Sequence, residues 1–385
     1  MEDIELFNIL LKNFSHLEKF KGIRIKKIND IYSLPFTTKD ELKTWKLSDC
    51  PVKPVNITAT SGTTSAKTFI FHSPEAWEMC VFRTQLILKA INIDEGRMII
   101  NLTSNFLNGP GKVINESLKK LGVCNLFFGT LDSDKKISQL VYIIEEFSPE
   151  IIISYTNQIF KPISEIGKSS VKKIVLTGEK LHPEFKKEIE KISGAKVYNL
   201  YGCNEFMGLG ITENPDDEYL RLFDNGLLVE VINSEKKKQE GKLVITDLYN
   251  YSMPFIRYIV GDYVKFVKKG RKKYIELIGR HNEWINIDGE LWSINKIQSL
   301  IFGILGHPEF YLLIEKDTSY RDIVILNLLE KDFINREKIK EQLSKWFGFE
   351  LKIRKTKEIP KTETGKFRHL IDMRRLKLKK KMLHW

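Results

Sequence analysis

The chain has 385 residues, too many for one small module and enough for about two domains of ordinary size. With 42% hydrophobic and 29% charged residues it reads as a soluble globular protein, which excludes a disordered, collagenous or membrane-spanning chain. Its 62 Lys and Arg against 50 Asp and Glu give a net charge of +12, compatible with nucleic acid, acidic proteins or phosphorylated substrates as partners. The start, MEDIELFNIL, lacks the layout of a signal peptide and no run of about 18 apolar residues occurs, so the cytoplasm is the expected location. Cys50, Cys80, Cys124 and Cys203 are scattered with no CxxC pair, so neither a disulfide framework nor a zinc ribbon is expected.

Residues 1–55 read as a wrapper of helix and loop, with Leu6, Ile9, Leu10 and Leu17 at helical spacing before the turn-rich SLPFTTKDELK. From Asn56 short apolar runs alternate with helical periods: RMIINL (97–102), VCNLFF (123–128), EIIIS (150–154), KKIVLTG (172–178) and KVYNLYG (196–202). Between them lie amphipathic stretches such as VINESLKKLG, where Val113, Ile114, Ser117, Leu118 and Leu121 share a face and Gly122 supplies the stop. Near-continuous apolar strands separated by helices predict a mostly parallel sheet covered on both faces. After about residue 220 the rhythm becomes strand, turn, strand, which predicts antiparallel pairing in a smaller sheet or barrel. Past Arg280 come a short hairpin-like INIDGELWSI, a helix from about Asn295, a strand pair around 309–330, a helix at 333–347 and a basic tail. That block is long enough for a small α+β domain.

The sharpest local signal is the hydroxyl-rich turn Thr58 to Lys67 between the strand-like VNIT and a helix capped by Ser73 and Pro74. Small side chains and a glycine let backbone N–H groups approach phosphate oxygens, although such a cluster by itself is more often an ordinary polar loop. The Walker spacing is absent. Further on, NLYGCNE delivers the carboxylate of Glu205 at the carboxyl end of a strand, where open α/β sheets place ligands. Gly261-Asp262 follows PFIRY, Gly279-Arg280 marks a boundary, and PKTETGK puts Lys366 on a late turn.

In this order the segments LPFTTKDEL, TSGTTSAKT, LTGEKL, NLYGCNE, GKLVITDLYNYSMPFIRYIVGD, LIGRHNEWINIDGE and PKTETGK resemble the adenylate-forming superfamily of acyl-CoA synthetases, adenylation domains and luciferases. The phenylacetate-CoA ligase branch is the most similar, over about residues 30–370. The resemblance implies an α/β fold: a large adenylation domain (1–281) of mixed, mostly parallel sheets with helices and a small β-rich subdomain, then a small mobile α+β lid (282–385). It implies activation of a carboxylic acid by ATP as acyl-adenylate plus pyrophosphate, then transfer of the acyl group to a thiol.

The resemblance also implies residue roles. Ser61, Gly62, Thr63 and Thr64 would hold the β- and γ-phosphates of ATP, and Glu205 would bind Mg²⁺. Gly178, Glu179, Asn199, Tyr201 and Gly202 would line the adenine, with Asn204 beside them, Asp262 on the ribose hydroxyls and Arg280 next to it. Lys366 would be the catalytic lysine, bridging the attacking carboxylate and the α-phosphate. Asn282 would be the hinge and Gly289 the glycine exposed to the incoming thiol. The bland alternatives are a solvated Lys366, a turn-forming Asp262 and an Arg280 paired at the surface.

The sequence departs from the family pattern in places. Ser65 replaces a glycine of the phosphate loop, and Asn204 replaces a threonine before the magnesium glutamate. Asp288 and Glu290 flank Gly289, where two carboxylates would repel coenzyme A phosphates unless neighbouring bases compensate. An acidic phosphopantetheinyl carrier protein is therefore an alternative acceptor for a basic chain. TENPDDEYLRLF offers no Cys/His set, so no structural zinc is expected. By position Phe106, Tyr155, Met207 and Gly208 would face the acid, an apolar lining suited to an aromatic or medium acyl group, and equally ordinary core.

A nucleic-acid-binding protein is the competing class, but RRLKLKKKMLHW carries only Trp385 for stacking and no reading module. A catalytically silent adenylation fold kept for binding is the third. Neither a nucleic acid nor a membrane is the expected partner, and monomer and homodimer stay open. Residues 352–385 hold thirteen Lys and Arg against Glu358, Glu363 and Asp372, so the end of the expected lid is a strongly basic segment and the residues before it are close to neutral.

Overall fold

The structure, a computed structural model, describes residues 2–60, 67–107, 109–233, 240–280, 284–347, 349, 351–360 and 369–374. The chain forms two compact units. The first comprises Met1–Thr156, Lys168–Lys180 and Ala195–Gly279; the second comprises Asn157–Gly167, Leu181–Gly194 and Arg280–Trp385.

The first unit opens with α1 (Glu2–Asn13) and α2 (Lys39–Lys43), followed by the antiparallel hairpin β1 (Asn56–Ala59) and β2 (Phe69–His72). Then come α3 (Pro74–Lys89), β3 (Met98–Asn101), α4 (Gly111–Lys120), β4 (Cys124–Phe127), α5 (Asp134–Phe147) and β5 (Ile151–Tyr155). The remaining strands are β6 (Lys173–Thr177), β7 (Lys196–Cys203), β8 (Met207–Ile211), β9 (Leu220–Leu222), β10 (Leu227–Ile232), β11 (Glu240–Asp247), β12 (Tyr258–Lys269) and β13 (Lys272–Arg280).

Among the described residues β3 to β13 form one 11-stranded sheet in the order β10-β11-β12-β13-β9-β8-β7-β6-β5-β3-β4. The five apolar runs read from the sequence are β3 to β7, and they pair in parallel. The later strands pair antiparallel, as their rhythm predicts, but they continue the same sheet instead of closing a smaller one, because β8 folds straight back along β7. α3 and α4 cover one face of the parallel half, where Val81, Leu88, Ile114 and Leu118 pack with Ile99, Ile151 and Val175. Val113, Ile114, Ser117, Leu118 and Leu121 of the predicted α4 face are all buried. The Ser73 hydroxyl caps α3 by accepting from the Ala76 N–H, with Pro74 at the first helical position.

The face of α1 differs from the expected one. Phe7, Leu10, Leu11 and Phe14, spaced i, i+3, i+4, i+7, are buried together, while Ile9 is 43% exposed. Successive residues turn by about 100°, and Ile9 lies on the side of Leu10 away from Leu11, Phe7 and Phe14, outside the stripe they form.

In the second unit α6 (Phe160–Ile166), α7 (Pro183–Ser193) and α8 (Ile294–Leu305) accompany the hairpin β14 (Trp284–Ile287) and β15 (Glu290–Ser293). A four-stranded sheet follows, ordered β18-β17-β16-β19 from β16 (Phe310–Lys316), β17 (Asp322–Leu328), β18 (Leu351–Lys355) and β19 (Leu370–Asp372). The short helices α9 (Glu330–Phe333) and α10 (Arg336–Ser344) lie between β17 and β18 in the chain. α7 and α8 meet where the His182 ring packs on Phe302 and its Nδ1 lies 2.6 Å from the Ser299 hydroxyl. No helix of the described residues is long and apolar enough to cross a membrane.

Candidate active site

The site is built around the turn that joins β7 to β8. Cys203 pairs with Met207 across it and Gly202 with Gly208, with a bulge between Tyr201 and Gly202. The strands come so close that a Cβ on Gly202 would lie 2.2 Å from the Met207 carbonyl oxygen. Met207 itself has φ +57°, the left-handed region, which costs a side-chain-bearing residue about 1–2 kcal/mol. This tight reversal turns Glu205 inward, where it is 6% exposed.

Glu205 Oε1 accepts a hydrogen bond of 2.9 Å from the phenol of Tyr258, at the start of β12. The Tyr258 ring is fixed edge-on to Phe255 and Phe206. Burial, and then the Glu205 charge, push the Tyr258 pKa far above its ordinary value, so the phenol stays a donor. A second phenol does the same for a second carboxylate: Tyr201 O–H donates to Asp262 Oδ2 across 2.5 Å, and both residues are buried. Gly261, with φ +98°, supplies the left-handed step before Asp262 that a side chain would resist. Burial, with Glu205 and Asp262 adding to it, raises the Cys203 thiol well above its usual range, so Cys203 remains a neutral thiol among the carboxylates.

The same turn is hooked to the hydroxyl-rich segment. Asn204 Nδ2 donates to the Ala59 carbonyl across 2.6 Å, and the Thr58 hydroxyl donates to the Asn204 carbonyl across 3.3 Å and lies 3.1 Å from His72 Nε2. Burial, then the charge of Arg83, lowers the His72 pKa to about 3, so its imidazole is neutral here. Thr60 N–H donates to the Thr68 carbonyl across 2.9 Å, closing the neck of the loop. Ser61, Gly62, Thr63 and Thr64 lie outside the described residues. So do Lys366 and Asn282.

Gly178 and Glu179 follow the carboxyl end of β6, beside β7, which carries Asn199, Tyr201 and Gly202. Gly178 has φ +91°, letting the chain leave the sheet sharply. Arg280 ends β13. β6 and β7 run side by side and in parallel, so Gly178, Glu179 and Gly202 come at neighbouring carboxyl ends, the edge at which open α/β sheets place ligands.

No protein-family model matches the chain. It is 22% identical over 403 residues to a phenylacetate-coenzyme A ligase of Thermus thermophilus, covering 92% of this chain and 89% of that protein. It is 28% identical over 223 residues to an indoleacetate–lysine synthetase of Pseudomonas savastanoi, covering 53% of this chain and 54% of that one. The crystal structure of a 2-hydroxyisobutyryl-CoA ligase in complex with 2-HIB-AMP superposes with a TM-score of 0.78 at 16% identity, over 100% of this chain and 92% of that one. The chain has the fold of the adenylate-forming ligases.

Within this adenylate-forming fold the residues expected at the acid are not all alike in setting. Met207 and Tyr155 are buried, and the Tyr155 phenol accepts from the Ser104 N–H across 3.2 Å, with burial pushing its pKa up to about 12. Gly208 fits tightly against α3, where an added Cβ would come within 2.9 Å of Ile87 Cδ1 and 3.1 Å of Thr84 Oγ1. Phe106 is 71% exposed.

In the second unit Asp288 and Gly289 make the two-residue turn between β14 and β15, with φ of +47° and +94°. Asp288 and Asp322 exchange backbone-to-carboxylate hydrogen bonds of 3.0 and 2.9 Å. Arg374 binds Asp322 across 2.8 Å and the Asn286 carbonyl across 2.7 Å, and Lys316 pairs with Asp322 across 2.8 Å. Burial works against the Asp322 charge, but Lys316, the Asp288 N–H and Arg374 hold its carboxyl below the usual range. Lys316 and Arg374 thus neutralise Asp322, which is bonded in turn to the Asp288 backbone.

Sequence reasoning missed Tyr258, His72 and Arg83. Tyr258 carried a signal, since it stands four residues before Asp262 in PFIRYIVGD, but a tyrosine at the head of a strand reads as core. His72 and Arg83 are set by contacts distant in sequence and left no local pattern.

Proposed function

We propose that the chain is an ATP-dependent acid–thiol ligase that forms an acyl-adenylate and pyrophosphate and then a coenzyme A thioester. The observation that carries this reading is the pair of buried carboxylate–phenol contacts, Glu205 with Tyr258 and Asp262 with Tyr201, on a turn hooked to the neck of the hydroxyl-rich loop. One buried carboxylate with neutral donors around it suits magnesium, a hard cation that uses few protein ligands and keeps the rest for phosphate oxygens and water. Glu205 would hold that ion, whose charge offsets the triphosphate when bound. Asp262 would accept from the ribose hydroxyls, and Gly178, Glu179, Asn199, Tyr201 and Gly202 would line the base.

In this reading the Ser61–Thr64 segment cradles the β- and γ-phosphates through backbone N–H groups and hydroxyls. Lys366 meets the acid carboxylate and the α-phosphate, where charge develops as the new O–P bond forms and pyrophosphate leaves. Residues 282–385 act as a lid that turns about Asn282 between the half-reactions and presents Gly289 to the thiol. Coenzyme A is the favoured acceptor, because the phenylacetate and 2-hydroxyisobutyryl relatives named above are coenzyme A ligases. The acid is an aromatic or medium-chain acid, in keeping with Tyr155 and Met207.

The test is pyrophosphate release from ATP across a panel of aryl, arylacetic and short aliphatic acids, with coenzyme A, with a carrier protein and with neither. Acid-dependent release, followed by a thioester seen by mass spectrometry only when coenzyme A is present, is the expected result. No release with any acid would leave a silent binding fold. Transfer only to the carrier would move the acceptor.

A further inference from the structure

We propose that Arg83 is a positioning residue for the magnesium carboxylate Glu205. Arg83 sits on α3 and is 0% exposed. It rests its guanidinium on the backbone that follows Glu205: Nη2 donates to the Phe206 carbonyl across 2.8 Å, and Nη1 donates to the Asn225 carbonyl across 3.0 Å. The Cys80 sulfur lies 3.4 Å from Nη2 and 3.5 Å from the same Phe206 oxygen. A buried guanidinium is normally matched by a carboxylate in contact with it. Here the two contacts are carbonyls, and Arg83 Nε has no hydrogen-bond partner among the described residues.

The place of that grip explains its use. The Phe206 carbonyl belongs to the peptide unit that enters Met207, the residue held at φ +57°. Rotation of that peptide toward ordinary φ would withdraw the carbonyl from Arg83 and swing Glu205 away from Tyr258. Hydrogen bonds from charged donors are stronger than neutral ones, so a cation on α3 is suited to enforcing a conformation that methionine resists. Asp247 is buried within electrostatic reach of Arg83 but does not hydrogen-bond to it, which leaves the guanidinium to the backbone. The side chain acts on the site through the turn and touches neither nucleotide nor acid.

This inference rests on the proposed reading of Glu205, and its test separates the two. ATP affinity of the full chain is measured by calorimetry with and without Mg²⁺, alongside acid-dependent pyrophosphate release and the melting temperature. Arg83→Met should weaken Mg²⁺-supported ATP binding by about tenfold or more while leaving Mg²⁺-free binding unchanged. Met207→Gly in the same chain should recover most of that loss, because glycine adopts positive φ without a steric cost. Met207→Val, which keeps Arg83 but resists positive φ, should reproduce the loss and carries the test where Arg83→Met does not fold. Wild-type Mg²⁺ dependence in folded Arg83→Met or Met207→Val, or no recovery with Met207→Gly, would overturn the proposal. A wild-type chain with neither Mg²⁺-supported ATP binding nor pyrophosphate release would instead overturn the functional reading, and this inference with it.

Discussion

Tyr258 and Glu205 are 53 positions apart in the chain, yet the phenol of one lies 2.9 Å from the carboxylate of the other, inside a cage of Phe206 and Phe255. The tyrosine gives the carboxylate one fixed orientation and spends none of its own charge. Tyr258→Phe keeps the ring packing and removes only the donor. A hydrogen bond to a charged group contributes about 1.5–3 kcal/mol, so pyrophosphate release should fall about 10- to 100-fold with little change in melting temperature. Unchanged turnover would show that Glu205 does not need this donor.

Gly202 is required for space and not for a special backbone angle. With its Cβ position 2.2 Å from the Met207 oxygen, Gly202→Ala forces β7 and β8 apart at the turn that bears Glu205. Overpacking of this kind costs about 1–3 kcal/mol or more, and here it displaces the carboxylate proposed to hold magnesium as well. A drop in the urea midpoint together with loss of activity is expected. A stable and active variant would mean that the turn relaxes without harm.

Much of the sheet is legible because five apolar runs have the length and β-branched content of buried strands, and each became one of β3 to β7. The continuity of the sheet is not legible. Nothing local in MGLGI or LRL says that these strands pair with β7 and with each other; that depends on Gly202 and Gly208 letting two backbones meet. The acidic site residues could be read from glycine-flanked motifs, whereas the groups that set their state come from α3, β2 and the start of β12. Asn204, a departure from the family pattern, found its reason only in space, as the donor to Ala59.

Lys366 is assigned by its motif, and the two half-reactions test it independently. Under the proposed role, in which the lysine serves only the first step, Lys366→Ala should abolish acid-dependent pyrophosphate release while thioester formation from a supplied acyl-adenylate continues. Equal loss in both steps, or in neither, would contradict the role.

Two buried imidazoles give the fold an acid limit. Burial, with Arg83 adding to it, lowers His72 to about 3, and burial lowers His369 to about 4. Both are neutral in the folded chain, whereas in the unfolded chain they take up protons below about pH 6.5. The unfolded state therefore binds more protons between the folded and unfolded values, and stability falls as pH drops through that window, by up to about 1.4 kcal/mol per unit for each histidine. Urea unfolding from pH 7.5 to 5 should show a shallower decline for His72→Gln than for the wild type. Parallel curves would show that His72 titrates normally.

The turn bearing Glu205 lies on the seam where parallel pairing gives way to antiparallel pairing. Strand β7 closes the parallel side, β8 opens the antiparallel side, and Tyr258 and Asp262 arrive only with β12. A growing chain has neither Tyr258 nor Asp262 until β12 is made, and a fragment ending ahead of β12 lacks half of the carboxylate pair altogether. The proposed site is therefore a property of the whole sheet, drawn from both its parallel and its antiparallel half and held by neither alone.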